Sequence, residues 1–398
     1  MSLKGLYTCI FGGGAVRGFA YVGAIRVLSQ LNFKIKTFVG SSVGSIIAAL
    51  LAVGYDAEEI REILQKVNFE LFRDIHFSLN KDFALSKGNV FTEWVREAIE
   101  KKYYGVEYVK GKNPPVCFKD IEKNLIILTT DLNTFQPVEF SNFETPDYEI
   151  ASAIRISCSM PGLMTPVEYQ DKRLVDGDLL KGVPLWKLSK NIDDSQTRIL
   201  EFRLEGENVS KSGNTFDFLN STYSCMTSAS TDFIIDVVGD NDKYDYVKIN
   251  TGGIIVIDFN MSDDVKDELI KMGYHDSLHY LTKTCVDKKR KISHIYKTMI
   301  GLIELLTRNL KRNSVVKAKN VLKELFLYMS DFYKYIDSDL FENLVLLKNE
   351  ILSAPTVFSL FRNEKFKNNE HLLVSSDIIR KVLQAKYDEL IDYIEQVG

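Results

Sequence analysis

A layered α/β domain followed by a helical module is the fold class predicted by this 398-residue chain. Three observations carry it. Strand and helix patterns alternate through the first 55 residues, strand patterns recur later between helical ones, and the composition changes after about residue 283. Leu6–Phe11 is an apolar run ending in glycines, which predicts a buried strand. Val16–Leu31 carries Phe19, Val22, Ile25 and Leu28 at helical spacing. Ile35–Val39 reads as a second strand and Ser45–Val53 as a second helix. Strand–helix–strand at this spacing makes parallel neighbours joined by a right-handed crossover. Further strands are expected at Leu125–Thr130, Arg198–Arg203 and Ile254–Phe259. Helices between them complete three layers, α/β/α, around a mainly parallel central sheet.

The first domain is placed at residues 5–285. The segment Phe69–Phe91 holds Phe69, Phe72, Phe77, Phe83 and Phe91 without clean periodicity, and reads as a loop packed by its own aromatics or as a flap over a site. From Lys283 to Glu324 there are 12 Lys and Arg against 3 Asp and Glu. Ile292, Ile295, Met299, Ile303, Leu306 and Leu310 recur there at helical spacing. Amphipathic helices continue through Glu350 and from Asp377 to Val397, so residues 286–398 are read as a separate C-terminal α-helical module.

Composition narrows the function classes. Hydrophobic residues at 45% and charged residues at 26% exclude a disordered or fibrous chain. A net charge of −4 gives no basic balance for nucleic acid, so no nucleic-acid partner is expected. Cys9, Cys117, Cys158, Cys225 and Cys285 lack CxxC spacing, which argues against a zinc site or a disulfide framework and suits a reducing, cytoplasmic setting. The start, MSLKGLYTCIF, has no signal-peptide pattern. The longest apolar run, Ile46–Val53, is far short of the ~20 residues of a membrane span. Any work on membranes is therefore expected from the surface, as a peripheral protein.

Three motifs carry chemistry. Gly40-Ser41-Ser42-Val43-Gly44 is a G-x-S-x-G between a predicted strand and a predicted helix, the context of a nucleophile elbow. There Gly40 and Gly44 remove side chains that would clash, and Ser42 projects beside the positive end of the following helix. The alternative is a turn in which Ser42 only caps that helix. Gly12-Gly13-Gly14-Ala15-Val16-Arg17-Gly18 is neither a P-loop nor G-x-G-x-x-G, since Arg17 replaces the third glycine. The loop is either a structural tight turn or, with bare N–H groups of Gly12, Gly13 and Gly14 at the mouth of the first strand, an oxyanion hole beside Ser42, which explains more of the pattern. Leu174-Val175-Asp176-Gly177-Asp178 places Asp176 at a strand-to-turn corner. The base for Ser42 is either a histidine, with His275 or His279 following Asp176 in triad order, or Asp176 itself in a dyad. His76, His294 and His371 belong to no motif.

The glycine loop GGGAVRG, the elbow GSSVG and the corner VDG, in this order, resemble the patatin-like phospholipases. Leu128–Leu132, the run Ala153–Gly162 ending in Pro161-Gly162, and Thr251–Tyr274 agree with that resemblance over about residues 5–285. It implies a patatin-like fold, Ser42 as nucleophile, Asp176 as proton acceptor without histidine, and Gly13 and Gly14 as oxyanion donors, with Gly12 shaping the loop. Arg17, Gly18, Gly40, Gly44 and Gly177 are the motif's supporting residues. One departure stands out. The family's corner is usually D-G-G or D-G-A, and here Asp178 holds the third position. A positive φ would strain an aspartate there, and an added carboxylate would raise the pKa of Asp176.

The reaction implied is hydrolysis of a fatty acyl ester of a phospholipid or lysophospholipid at a membrane or micelle surface, with no cofactor and no metal. The basic stretch 283–324, with Lys288, Lys289, Arg290 and Lys291, suits anionic lipid. Neutral-lipid or galactolipid hydrolysis, and a catalytically weak interaction protein acting through its helical module, are the alternatives. An acyl-carrier transacylase fits less well, because those enzymes place His where this chain has Ser41.

Overall fold

The structure is a computed structural model that describes residues 6–66, 84, 86–180, 197–206, 244–254, 261–336, 338–358 and 364–397. These fall into two compact units, the first ending at Tyr280 and the second beginning at Leu281.

In the first unit, β1 (Leu6–Phe11) leads through a 3-10 turn (Ala15–Gly18) into α1 (Phe19–Gln30), β2 (Ile35–Ser41) and α2 (Val43–Ala52). Then come α3 (Ala57–Gln65), α4 (Asn89–Tyr104), β3 (Asn124–Asp131), β4 (Gln136–Ser141) and α5 (Ile150–Ser157). The described chain continues through β5 (Val167–Tyr169), β6 (Lys172–Val175), β7 (Thr197–Glu205), β8 (Tyr244–Asn250) and α6 (Asp263–His279). The strands make one sheet in the order β5-β6-β3-β2-β1-β7-β8, with β4 also on β3. The β3-β2-β1-β7-β8 part is parallel; β4, β5 and β6 add antiparallel pairs.

This is the expected three-layer α/β/α class. Cys9, Ile10 and Phe11 of β1 and Leu125, Ile126 and Ile127 of β3 have no exposed surface, as strands covered on both faces require. One group of helices packs α1 on α6 and α3, while α2, α4 and α5 pack together, with α2 and α5 reaching the strands. The expected strand Ile254–Phe259 lies, beyond Ile254, outside the described residues, as do Phe69, Phe72, Phe77 and Phe83. Phe91 is a buried residue of α4. The chain winds from β1 to β2 and β3 on one side and places β7 and β8 on the other. The sheet therefore has its switch point at β1 and β7, the place in an open α/β sheet where ligands are commonly bound beyond the carboxyl ends of the strands.

The second unit holds α7 (Cys285–Lys311), α8 (Val315–Phe332), α9 (Ser338–Ser353), a short hairpin of β9 (Thr356–Phe358) and β10 (Glu364–Phe366), and α10 (Glu370–Val397). The apolar face of α7 that the sequence shows (Ile292, Ile295, Met299, Ile303, Leu306, Leu310) is buried against α8 and α10. Leu306 has no exposed surface. Leu306→Ala should lower stability by about 2–5 kcal/mol in urea denaturation of the full chain; an unchanged midpoint would contradict this packing.

Candidate active site

Ser42 follows β2 directly and sits at φ 50°, ψ −130°. A non-glycine residue in that region is strained by about 1–3 kcal/mol and persists only where its surroundings over-determine it. They do so here. The Ser42 N–H donates to Ser157 Oγ at 2.9 Å, and the Ser157 hydroxyl donates to the Leu128 carbonyl at 2.7 Å. Backbone presses on the turn from both sides: a Cβ at Gly40 would lie 2.3 Å from the Gly44 carbonyl oxygen, and one at Gly44 would lie 2.0 Å from that of Phe11. The two glycines that flank the elbow are thus demanded by close approach.

The Ser42 hydroxyl does not cap α2. It donates to Asp176 Oδ2 at 2.8 Å, in a site where Ser42 is 5% exposed and Asp176 has no exposed surface. Asp176 follows β6, whose pairing with β3 sets Val175 opposite Thr130. Its N–H donates to the Ser159 carbonyl at 3.1 Å, and its Oδ1 accepts the Asp178 N–H at 2.8 Å. A Cβ at Gly177 would come within 2.0 Å of the Leu128 carbonyl oxygen. Only glycine lets the corner lie this close to β3, and β3 in turn anchors Ser157 under the elbow.

The glycine loop leaves β1 where Phe11 pairs with Phe202 of β7. The Gly12 N–H donates to the Phe202 carbonyl, and the Tyr21 hydroxyl donates to the Gly12 carbonyl at 2.8 Å. Gly13 donates its N–H to Asp178 Oδ1 at 3.0 Å. Gly14 turns the chain at φ 154°. Arg17 reaches from the loop to Thr251 Oγ1 at 3.4 Å, and Gly18 lies so close to Val43 that a Cβ would meet its Cγ2 at 2.4 Å. The three motifs thus meet at one edge of the sheet.

Histidine has no place at this serine among the described residues. His275 and His279 are both exposed on α6, and the His275 side chain is 81% exposed. No metal-ligating cluster occurs among the described residues. His76 and Cys225 lie outside them. Cys158 Sγ sits 3.9 Å from Ser45 Oγ, and burial, followed by the nearby Asp176 carboxylate, pushes its thiol well above the usual range.

Asp178 is not in a positive-φ conformation, so the strain expected of it is absent. Its carboxylate is buried and bonded to Arg203 at 3.0 Å. Sequence reasoning missed Arg203 and its second partner Glu201, which also accepts from the Tyr244 hydroxyl of β8. Burial alone would lower the pKa of Arg203; the charges of Glu201 and Asp178 outweigh it and hold the guanidinium above its ordinary value. The signal was present: Glu201 and Arg203 stand two apart, on one face of a strand otherwise apolar in ILEF.

A strained serine bonded to a buried aspartate thus lies at the carboxyl edge of a mostly parallel sheet. The family model for patatin-like phospholipase matches residues 9–188. An uncharacterised protein of Acanthamoeba polyphaga mimivirus is 31% identical over 277 residues, covering 66% of this chain and 89% of that one. A protein of Invertebrate iridescent virus 6 named a probable lipid hydrolase is 29% identical over 186 residues, covering 46% of this chain and 64% of its own. In fold, the crystal structure of VipD from Legionella pneumophila matches with a TM-score of 0.50 at 14% identity, covering 98% of this chain and 91% of that one. The chain belongs to the patatin-like phospholipase family and is a hydrolase.

The corner gives a direct check on this geometry. Gly177→Ala should destabilise the protein by about 3 kcal/mol, because its methyl group meets backbone rather than a movable side chain. Thermal unfolding measures it, and a wild-type melting temperature would refute the close approach to β3.

Proposed function

We propose that the chain is a serine lipid acyl hydrolase of the phospholipase A or lysophospholipase type, working through an acyl-enzyme on Ser42 with Asp176 as its base. The observation that carries this reading is the hydrogen bond from Ser42 Oγ to Asp176 Oδ2 inside a strained elbow. Ser42 Oγ attacks the ester carbonyl as its proton passes to Asp176. The tetrahedral intermediate places a negative oxygen near the glycine loop. With the Gly13 N–H occupied by Asp178, the N–H groups of Gly14 and of Val43, the residue after the nucleophile, are the donors we assign to it. Collapse expels the alcohol of the lipid, which takes the proton from Asp176. Water then attacks the acyl-enzyme, giving its proton to Asp176, and Ser42 recovers a proton as the fatty acid leaves.

Lipid as the substrate class is supported by the family and by the relative named for lipid hydrolysis. Among the described residues no helix is long and apolar enough to cross a membrane, so we assign the approach to lipid to the surface. The basic stretch is not uniform in this respect. Lys289 is fully buried over the ring of Tyr393, Lys291 donates to the Tyr335 hydroxyl, and Arg290 pairs with Asp287. Exposed cations without such an engagement include Lys311, Arg312 and Lys317 at the turn from α7 to α8, next in sequence to Val316, itself 60% exposed, and Lys323 further along α8.

A fluorophosphonate probe should label the wild type and fail to label Ser42→Ala. Asp176→Asn should lower kcat on a phospholipid or a short ester about 10²–10⁴-fold while the protein stays folded. Labelling that persists in Ser42→Ala would overturn the reading, and labelling of neither protein would favour an interaction protein. Reversing Lys311, Arg312, Lys317 and Lys323 to Glu should weaken sedimentation with phosphatidylserine-containing vesicles and leave hydrolysis of a short soluble ester unchanged. Equal sedimentation would remove the surface role from this turn.

A further inference from the structure

We propose that Asp178 and Arg203 are a positioning pair that locks the glycine loop and the serine elbow onto the Asp176 corner. The inference rests on the Ser42–Asp176 reading and concerns residues that the family's usual corner does not supply. Asp178 Oδ1 accepts from three parts of the fold: the Gly13 N–H at 3.0 Å, the Ser41 hydroxyl at 3.2 Å and Arg203 Nη1 at 3.0 Å. Its own N–H donates to Asp176 Oδ1 at 2.8 Å. One residue, 1% exposed, therefore ties together the glycine loop, the residue before the nucleophile and β7 through its carboxylate, and the base through its N–H.

Arg203 makes this arrangement tenable. Both its side chain and that of Asp178 are 1% exposed, so the carboxylate has no water to retreat into. The guanidinium forks between Asp178 and Glu201, and Glu201 is held in turn by Tyr244. A planar fork can serve two carboxylates at once; a lysine ammonium is a single point. The Arg203 stem also lies where a Cβ at Gly12 would stand, 2.5 Å from its Cδ, so it forms the floor of the loop. Without this cation, the negative charge two residues from Asp176 would make Asp176 harder to deprotonate. Among the described residues, the other charged or titratable groups around the corner include Glu201 of β7, Tyr244 and Tyr246 of β8, Tyr21 of α1, Arg155 of α5 and Cys158 next to it.

The test compares full-length wild type, Asp178→Asn, Asp178→Gly, Arg203→Lys and Ser42→Ala on a short p-nitrophenyl ester, with thermal midpoints measured alongside. Asp178→Gly should lower kcat about 10²-fold with KM nearly unchanged, since the reacting groups lose their alignment. Asp178→Asn keeps an acceptor for Gly13 and should recover about tenfold of that loss. It also leaves the Arg203 charge in place, so the acid limb of its kcat/KM profile should move to lower pH. Arg203→Lys should fall between wild type and Asp178→Gly. Wild-type kcat in Asp178→Gly would overturn the inference. A raised kcat would also overturn it, because the carboxylate would then be an obstruction on the Gly13 N–H. Full activity in wild type and none in Ser42→Ala would assign either result to the pair alone, whereas an inactive wild type would overturn the dyad reading and the pair with it.

Discussion

The hydrogen bond between Ser42 Oγ and Asp176 Oδ2 depends on a backbone conformation that serine does not adopt freely, and much of the surrounding structure serves to hold it. Strain of about 1–3 kcal/mol is stored at the elbow. It is offset by the Ser157 hydroxyl beneath it, by the start of α2 behind it, and by backbone that closes on Gly40 and Gly44. The strand β3 acts on both partners. Its Leu128 carbonyl receives the Ser157 hydroxyl that supports Ser42, and it presses on Gly177 beside Asp176. A shift in β3 would therefore move serine and aspartate together.

The same edge of the sheet has an electrostatic problem to solve. Asp176, Asp178 and Glu201 are all buried within a few residues of the switch point, with Arg203 buried among them. Buried carboxylates are tolerated when each is hydrogen-bonded and the charge is shared. Hydroxyls and N–H groups supply much of that support: Ser42, Ser41, Tyr244, Gly13 and the Asp178 N–H. Removing one member of such a network leaves its neighbour's charge uncompensated, so its parts act as a unit rather than as separable contacts. The topology explains why the network lies here. β1 and β7 are adjacent in the sheet and remote in sequence, so the glycine loop that leaves β1 comes to lie against Arg203 of β7.

What the sequence made legible follows the range of the interactions. Leu6–Phe11 reads as a strand because both its faces are buried, and the apolar stripe of α7 reads as a helix because one face is. Elbow, loop and corner were visible as motifs because glycine is required where backbones nearly touch, at Gly40, Gly44 and Gly177, and where buried side chains close on the loop, at Gly12 and Gly13. The short antiparallel strands β4, β5 and β6 were not, since three to six residues with mixed polarity carry no periodic signature. Strand β8 was missed despite its alternating YDYVKIN pattern. Asp178 looked like an unfavourable departure because its compensation comes from Arg203, 25 residues away. Spacing along the chain cannot announce a partner supplied by another strand. The charges in the basic stretch were legible as a sum but not as a surface, because helix packing buries Lys289 and engages Lys291.

A crystal structure of the protein after reaction with a fluorophosphonate would show whether Ser42 and Asp176 act together. Phosphorus should be bonded to Ser42 Oγ, with its phosphoryl oxygen turned to the Gly14 N–H, Asp176 still within hydrogen-bond distance, and the Asp178–Arg203 pair in place. An adduct on another residue, or Ser42 modified with its oxygen turned away from both the glycine loop and Asp176, would contradict that joint action.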